Sequence, residues 1–539
     1  MGSRAKLVSL AVIAAASTLL SACAGGTSST ETSASTKPQQ GGTLTVLLTA
    51  NYSGAWPTGL DPATNTTGGA NLSQMYAIFG GLFKLSGGGK GTGNAEVVPG
   101  LATGYEFADG GKTVKIFIRK GVEFQDGTAF NAEAVAWNFR RDVNSPCSCA
   151  PTWPLREKNA ITTPDSHTVV LHFSRSYGAV IHALLVSNAN WIASPTAFRK
   201  MGEKKFKLKP VGAGPFQVVK NKVSSKLVLK ANPDYWKEGR PYLDKLVFKS
   251  IGGDQAGYQA LLAGGAQVYE GMVSTPIIEQ AKKNEQLTVT QHPPTSPYVV
   301  QLNTKREPFN SKRAREAIYY ATNVDAIRKG LFNNWYPASQ MFTGPGGLFH
   351  HAEVPGYRTY NPEKAREIVN DLGGLKITLG TLKNPLAEKV NTVLKSQWEE
   401  VGIQVKLESY ALSTLIREFE SGKWDAMLQT AGSWDPAAGV GVGFRFSSTS
   451  PFTGVWDPKL DKLLQRAAAS NDKEKRDKLY FKAGKYISDH AYAPFLFAFA
   501  PATVSVSGVH GPGITTKIPP LLVNPTILWE EVWMSEQAR

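Results

Sequence analysis

The residues best suited to chemistry concentrate in one glycine-rich tract, GSWDPAAGVGVGFRF, residues 432 to 446. It follows a strand-like run, WDAMLQT at 424 to 430, and loops at strand ends are where a rigid scaffold presents binding groups. Asp435 offers a carboxylate that a dry cleft would turn into a strong charge-assisted acceptor; the plainer reading is a turn ahead of Pro436. Arg445 carries the planar fork that grips a carboxylate through two parallel bonds, or is a solvated surface arginine. Trp434 is a flat pocket wall or a core residue. Tyr52 and Trp56 follow the first strand, at an expected cleft rim. Tyr298 and Asn303 flank the run YVVQLN, and Asn303 suits backbone satisfaction as well as ligand contact.

Catalytic signatures are missing. There is no G-x-S-x-G, no H-E-x-x-H and no convincing pairing of nucleophile and base, so no catalytic residue and no cofactor is assigned. Gly439, Gly441 and Gly443 lack the strand-turn-helix setting of a dinucleotide site and read as a pliable loop. Lys90 lies among glycines with no Gly-Lys-Ser/Thr after it. His350 and His351 are the one adjacent pair among eight histidines; imidazole suits nickel, but a histidine pair in a loop is expected to be merely polar surface, and no metal ligand is assigned. Cys147 and Cys149 are too close for an unstrained disulfide and read as local structure or free thiols.

Arg4 and Lys6 precede an apolar run, Leu7 to Leu20, that is too short for a membrane span and fits a signal peptide over residues 1 to 22. Leu20-Ser21-Ala22-Cys23 resembles the bacterial lipoprotein signal, which implies lipidation of Cys23 as the mature N-terminus. Residues 24 to 40, rich in Gly, Ser and Thr, bury too little to fold and read as a flexible tether. The expected product is a body anchored by acyl chains to the extracytoplasmic face of a membrane.

A chain of 539 residues with 42% apolar content supports two or three structural regions. The formal charge of +16 comes from 59 basic and 43 acidic residues. It favours residence near anionic lipid or wall polymer. Nucleic acid is not expected as a partner, because the basic residues are scattered and no nucleic-acid motif is present.

Strands are predicted at 41 to 48, 114 to 118, 169 to 173, 225 to 230 and 245 to 251, with turns at Asp109-Gly110-Gly111 and Asp126-Gly127 and a helix capped by Asn131. From about 298, strands alternate with helices: a helix at 311 to 321, another opening at Asn361-Pro362, a strand at 375 to 380, a helix at 386 to 402 and a strand at 403 to 410. This is an α/β pattern. Mostly helical residues run from 456 to about 489, before the apolar run APFLFAFAP.

Four blocks, in order, resemble the large extracellular solute-binding family of oligopeptide, dipeptide and nickel receptors of ABC importers. They are residues 105 to 139, 210 to 236, 309 to 327, and 394 to 408 with the WDAM and WDP segments that follow. The resemblance implies a two-lobed periplasmic-binding-protein-like fold with an extra subdomain. Lobe I would cover 41 to 298 and return over 500 to 539; lobe II would cover 299 to 499. It further implies a ligand cleft between the lobes, Asp435 meeting a peptide ammonium, and delivery of the peptide to a membrane permease by a monomer. Trp434 stands where those relatives carry a tyrosine. Other solutes in the same kind of cleft, namely a nickel or other metal chelate, haem or a sugar, are the alternative; an extracellular hydrolase or a structural surface protein is the alternative of another class.

Overall fold

The run TLTVLLT, Thr43–Thr49, buries Leu44, Val46 and Leu48 on one side and Leu47 on the other, the mark of a strand covered on both faces. It is the central strand of a seven-stranded mixed sheet in a computed structural model. That model describes residues 37 to 539, except 51, 88 to 94, 146 to 152, 438 to 440 and 522 to 523. The signal and lipidation segment with Cys23, the tether up to residue 36, Lys90, Cys147, Cys149 and Gly439 therefore lie outside the described residues. Pro38–Arg539 forms a compact unit of its own.

Thr43–Thr49 pairs in parallel with Lys245–Ile251 and with Val268–Met272. Beyond the first lies the antiparallel hairpin Lys226–Ala231 with Phe216–Lys222; beyond the second lie Ala502–Val506 and then Leu287–Gln291. A second sheet of five strands runs in the order Ile403–Tyr410, Leu375–Leu382, Ala426–Thr430, Ser296–Leu302, Phe495–Phe499. Its parallel members are spaced by the helices Pro385–Glu399 and Leu412–Ser421, as crossover connections require. A third sheet, Ala102–Ala108, Thr113–Ile118, Thr168–His172 and Ile161–Asp165, is wholly antiparallel. Its first hairpin turns at Asp109 and Gly110, both at positive φ, as the Asp-Gly signal predicts. The result is the two-lobed α/β architecture with an extra subdomain.

Side-chain caps start the helices where the sequence placed them. Asn131, Ser311, Asn361 and Asn384 each accept from the backbone N–H three residues on. One continuous core joins the inner face of the seven-stranded sheet to the antiparallel subdomain; a separate core fills the five-stranded sheet and its helices.

The chain passes between the two large sheets twice, between Gln291 and Ser296 and again between Phe499 and Ala502. The expected change of lobe at 298 falls inside the strand Ser296–Leu302, which belongs entirely to the second sheet. Both crossings are fixed by hydrogen bonds. His292, fully buried, bonds Ile518 O and Thr503 Oγ1 at 2.9 Å each. Thr295 donates to Pro520 O at 3.1 Å.

Glu270 lies buried in the central part of the first sheet, and one carboxyl oxygen accepts from Ser73 Oγ at 2.5 Å while the other has no partner. Burial pushes its pKa up to about 7, against a partial lowering by the Ser73 bond. A carboxyl raised in the folded state contributes its stability in full below its unfolded value of about 4.3 and loses it as pH rises through about 7. Glu270→Gln keeps an acceptor for Ser73 and removes the ionisation. Thermal melts should show the variant level with the parent near pH 4 and more stable at pH 8, by on the order of 3 kcal/mol.

Candidate ligand site between the two sheets

A cavity of about 420 Å³ opens where the ends of the two large sheets face each other. That size lies in the usual range for a small-ligand site. Strand Thr43–Thr49 delivers Thr49 and, through the following turn, Tyr52. The loop after Lys245–Ile251 delivers Gly252, Gly253 and Asp254, and the segment after Val268–Met272 delivers Val273 and Ile277. From the second sheet come Tyr298, Gln429 and Thr430, with Phe332 and Leu386 from its helices. Phe499 and Pro501, at the second crossing, complete a wall that is mostly apolar.

Tyr52 and Tyr298, both singled out in the sequence, line this cavity. Burial raises both phenol pKa values well above the ordinary range; at Tyr52 the neighbouring Tyr298 adds to this and Arg445 pulls the other way. Both therefore present neutral hydroxyls. Arg445 stands directly behind the wall. Its Nε donates to Thr430 O at 3.1 Å and a terminal nitrogen to Gln429 Oε1 at 3.3 Å. Its guanidinium lies over the rings of Phe444 and Phe419, at 4.9 and 5.4 Å. Burial draws its pKa down to about 10, against the influence of Tyr52, so it remains charged at neutral pH. Among the described residues no carboxylate pairs with it.

Other sequence candidates sit elsewhere. Asp435 does not line the cavity: its side chain is inaccessible, and its two oxygens meet Arg476 at 2.6 Å and His182 Nδ1 at 2.5 Å. Ala437 N also donates to it at 2.8 Å. Burial alone would raise this carboxyl, but Arg476 and His182 outweigh it and hold the pKa well below the usual carboxylate range. Trp434 is buried against the core of the first lobe, its ring 5.3 Å from that of His182. Trp56 is fully buried, with its indole nitrogen donating to Asn221 Oδ1 at 3.0 Å. Asn303 is equally buried and donates to Gly422 O and Trp424 O, the backbone-satisfying role. The tract 432 to 446 thus splits: its beginning is a structural junction, and among its described residues only Arg445 approaches the cavity.

Sequence reasoning missed Asp254. Its carboxylate faces the cavity rim and accepts from Val273 N at 2.8 Å, Ser274 N at 2.5 Å and the Tyr269 hydroxyl at 2.7 Å. The signal was present: an Asp after Gly252-Gly253, at the end of a strand and the start of a helix. Phe332, Gln429 and Phe499 carried no comparable signal. His350 and His351 are engaged by Thr343 O and Asp477, and among the described residues no group of acids, histidines and cysteines is arranged to hold a metal ion.

Two lobes linked by paired crossings, with a mostly apolar cavity between them, define a binding protein that takes its ligand between lobes. A family model described as bacterial extracellular solute-binding proteins, family 5, matches residues 96 to 451. The chain belongs to this family, whose members bind solutes for transport outside the cytoplasm; the hydrolase alternative is set aside on that ground. It is 27% identical over 463 residues to di/tripeptide-binding protein 1 of Pseudomonas aeruginosa, covering 79% of this chain and 84% of that protein. It is 25% identical over 488 residues to the dipeptide-binding protein of Escherichia coli, covering 84% and 90%. Among solved structures, the dipeptide-binding protein of Pseudoalteromonas sp. SM9913 in complex with Met-Leu superposes with a TM-score of 0.77 at 19% identity, covering 89% of this chain and 99% of that one. An Agrobacterium binding protein in complex with agropinic acid gives 0.75 at 20% identity, covering 92% of this chain and 99% of that one.

Asp435→Asn should separate structure from binding. It leaves the buried Arg476 without its counter-charge, a loss of about 3–5 kcal/mol in chemical or thermal unfolding near neutral pH. Because the folded pKa is depressed, the stabilisation is present above about pH 4 and lost as pH falls further, so the gap between parent and variant should narrow in acid. Solute affinity of the folded variant at neutral pH should stay within about threefold of the parent, a change under about 1 kcal/mol.

Proposed function

We propose that this chain is the peptide-capturing receptor of an ABC importer, binding a short peptide in the cavity between its lobes. The observation that carries this reading is Arg445, a cation behind the cavity wall with no carboxylate partner among the described residues. A half-buried guanidinium without a counter-charge still carries a desolvation cost, and a peptide carboxylate would supply the missing charge with bidentate geometry. Neutral hydroxyls at Tyr52 and Tyr298 add hydrogen bonds, and the apolar wall of Val273, Ile277, Phe332 and Leu386 takes side chains of varied shape. The similarity to di- and tripeptide-binding proteins supports the same ligand class. The two crossings, 292 to 295 and 500 to 501, would serve as the hinge, so that a ligand touching both walls stabilises the closed form and presents it to the permease.

The engagement of Asp435 by Arg476 and His182 favours a second reading. A carboxylate-bearing solute without a peptide ammonium would need Arg445 but no acidic partner. The Agrobacterium protein of the same fold, in complex with agropinic acid, supports keeping this reading.

Delivery from outside the cytoplasm fits a chain tethered through lipid on Cys23 and working as a monomer. The Leu20-Ser21-Ala22-Cys23 sequence supports the tether. Cys23→Ser should move the protein from the membrane fraction to the soluble extracytoplasmic fraction on immunoblots; retention in the membrane would contradict it.

Isothermal titration of the body, Pro38–Arg539, with di- and tripeptides and with carboxylate solutes lacking an ammonium tests the ligand class. Peptides should bind, and Arg445→Met should weaken them about 10- to 100-fold, corresponding to loss of a charge-assisted bond of about 1.5–3 kcal/mol. Binding of only the ammonium-free carboxylates would select the second reading, and unchanged peptide affinity in the variant would remove Arg445 from the site.

A further inference from the structure

The basic residues are spread along the chain, but the excess of positive over negative charge is concentrated in one stretch. Between Arg199 and Lys230 the sequence holds ten lysines and arginines and a single carboxylate, Glu203. That stretch accounts for nine of the chain's sixteen net positive charges.

Strand pairing organises the second half of it. Lys230 stands directly opposite Lys245, Lys226 opposite Lys249, and Lys222 opposite Lys226. Lys220 lies opposite Val228, between these rows on the same face. The opposite face of the same strands carries Leu227, Leu229, Leu246 and Phe248, all in the core. The pleat therefore sends every one of these lysines outward. Lys220, Lys222, Lys226, Lys230 and Lys245 are exposed, and Lys249 is half-buried with one bond to Gly265 O at 3.4 Å. Among the described residues none of the six forms an ion pair with a carboxylate.

Like charges directly opposite one another on a sheet are destabilising. Three such cross-strand pairs with no acidic residue between them are a cost to the fold that packing does not explain. The outer face of the sheet is otherwise covered: on the neighbouring strand Leu47, opposite Lys249, is packed under the helices Asp254–Leu262 and Thr275–Lys282. The lysine ladder is the half of that face left open.

Its position relative to the start of the body selects the partner. Gly41 N donates to Tyr242 O at 2.7 Å and Gly42 N to Asp244 at 2.8 Å. Thr43 then pairs with Lys245, so the chain enters the body at the Lys230–Lys245 end of the ladder. The 18 residues from Cys23 to Gln40 reach at most about 60 Å, so a lipid on Cys23 would hold this end near the bilayer.

We propose that this lysine ladder is a docking face for the anionic headgroups of a membrane, orienting the body on the bilayer from which it is tethered. The orientation rests on the tethered reading above; the affinity of the face for anionic lipid does not. Once one edge of the first sheet is held against the surface, the cavity and both lobes take up a preferred angle to the membrane in which a permease lies.

The test is flotation of the acyl-free body, Pro38–Arg539, with phosphatidylcholine vesicles with and without phosphatidylglycerol. Partitioning onto the anionic vesicles should exceed that onto neutral ones by at least about tenfold and vanish near 0.5 M salt. Replacing Lys220, Lys222, Lys226 and Lys230 together by Gln should abolish it. Replacing four exposed lysines of the other lobe, Lys376, Lys423, Lys459 and Lys475, by Gln should not. Equal binding to neutral vesicles, or anionic binding that survives in the ladder variant, overturns the proposal. Binding to soluble polyphosphate without binding to vesicles overturns it too and gives the face to an anionic polymer. Since this body lacks Cys23, the result is independent of lipidation, which the Cys23→Ser fractionation reads separately.

Discussion

Everything that allows this protein to bind a solute depends on the chain crossing twice, side by side, between two sheets. Leu287–Gln291 and Ala502–Val506 are hydrogen-bonded neighbours in the first sheet, and their continuations Ser296–Leu302 and Phe495–Phe499 are neighbours in the second. A single connection would leave the lobes free to swivel. Two adjacent connections restrict them to opening and closing about one line. The backbone there is held on both sides: Gly346 N donates to Pro294 O at 2.7 Å, Gly344 N to Thr295 O at 2.9 Å, and Ser296 Oγ to Gly432 O at 3.0 Å. Burial lowers the His292 pKa to about 4, so this junction stays uncharged at neutral pH.

The charges are distributed to suit that arrangement. Three buried ion pairs lie away from the cavity: Asp435 with Arg476 and His182, Lys84 with Glu530, Asp61 with Arg141. The Asp435 group joins the helix Lys473–Asp489 of one lobe to the helix Val180–Leu184 of the subdomain, where Gly178 N and Ala179 N also donate to Ala469 O and Ala468 O. It is a junction between lobes that uses no ligand. At the cavity the logic reverses. Among the described residues Arg445 meets only neutral acceptors, Thr430 O and Gln429 Oε1, which under the proposed function leaves it for a ligand carboxylate. Pairing at a structural junction and an unpaired cation at the proposed ligand site are two uses of the same electrostatic rule.

Much of the fold was legible in the sequence because period and punctuation agreed. Lys245–Ile251 and Ile403–Tyr410 fall where alternation placed them, and the caps at Asn131 and Asn361 open the helices they announced. Phe216–Lys222 was hidden because its outer half, VKNK, is polar and solvent-facing, and Leu287–Gln291 because LTVTQ is a short edge strand rich in threonine. The site was legible only in part. Tyr52 and Tyr298 flank strands whose ends meet the cavity, so strand position alone brought them in. Asp435 misled, because a carboxylate in a glycine-rich loop looks the same in sequence whether its partner is a ligand or an arginine 41 residues later. Contacts of that kind are set by tertiary packing, and no local pattern reports them.

The central claim is that a solute is held between the lobes and draws them together. Spin labels at Gln259 and Thr392, both exposed on helices that begin at the cavity, would report the separation of the lobes once Cys23, Cys147 and Cys149 are replaced by Ser. Pulsed dipolar distance measurement with and without a bound peptide is the direct experiment. Lobe closure gives a broad or longer distribution without peptide that collapses to one shorter distance when peptide binds. A distribution that stays the same while titration shows peptide bound would contradict it and place the ligand elsewhere.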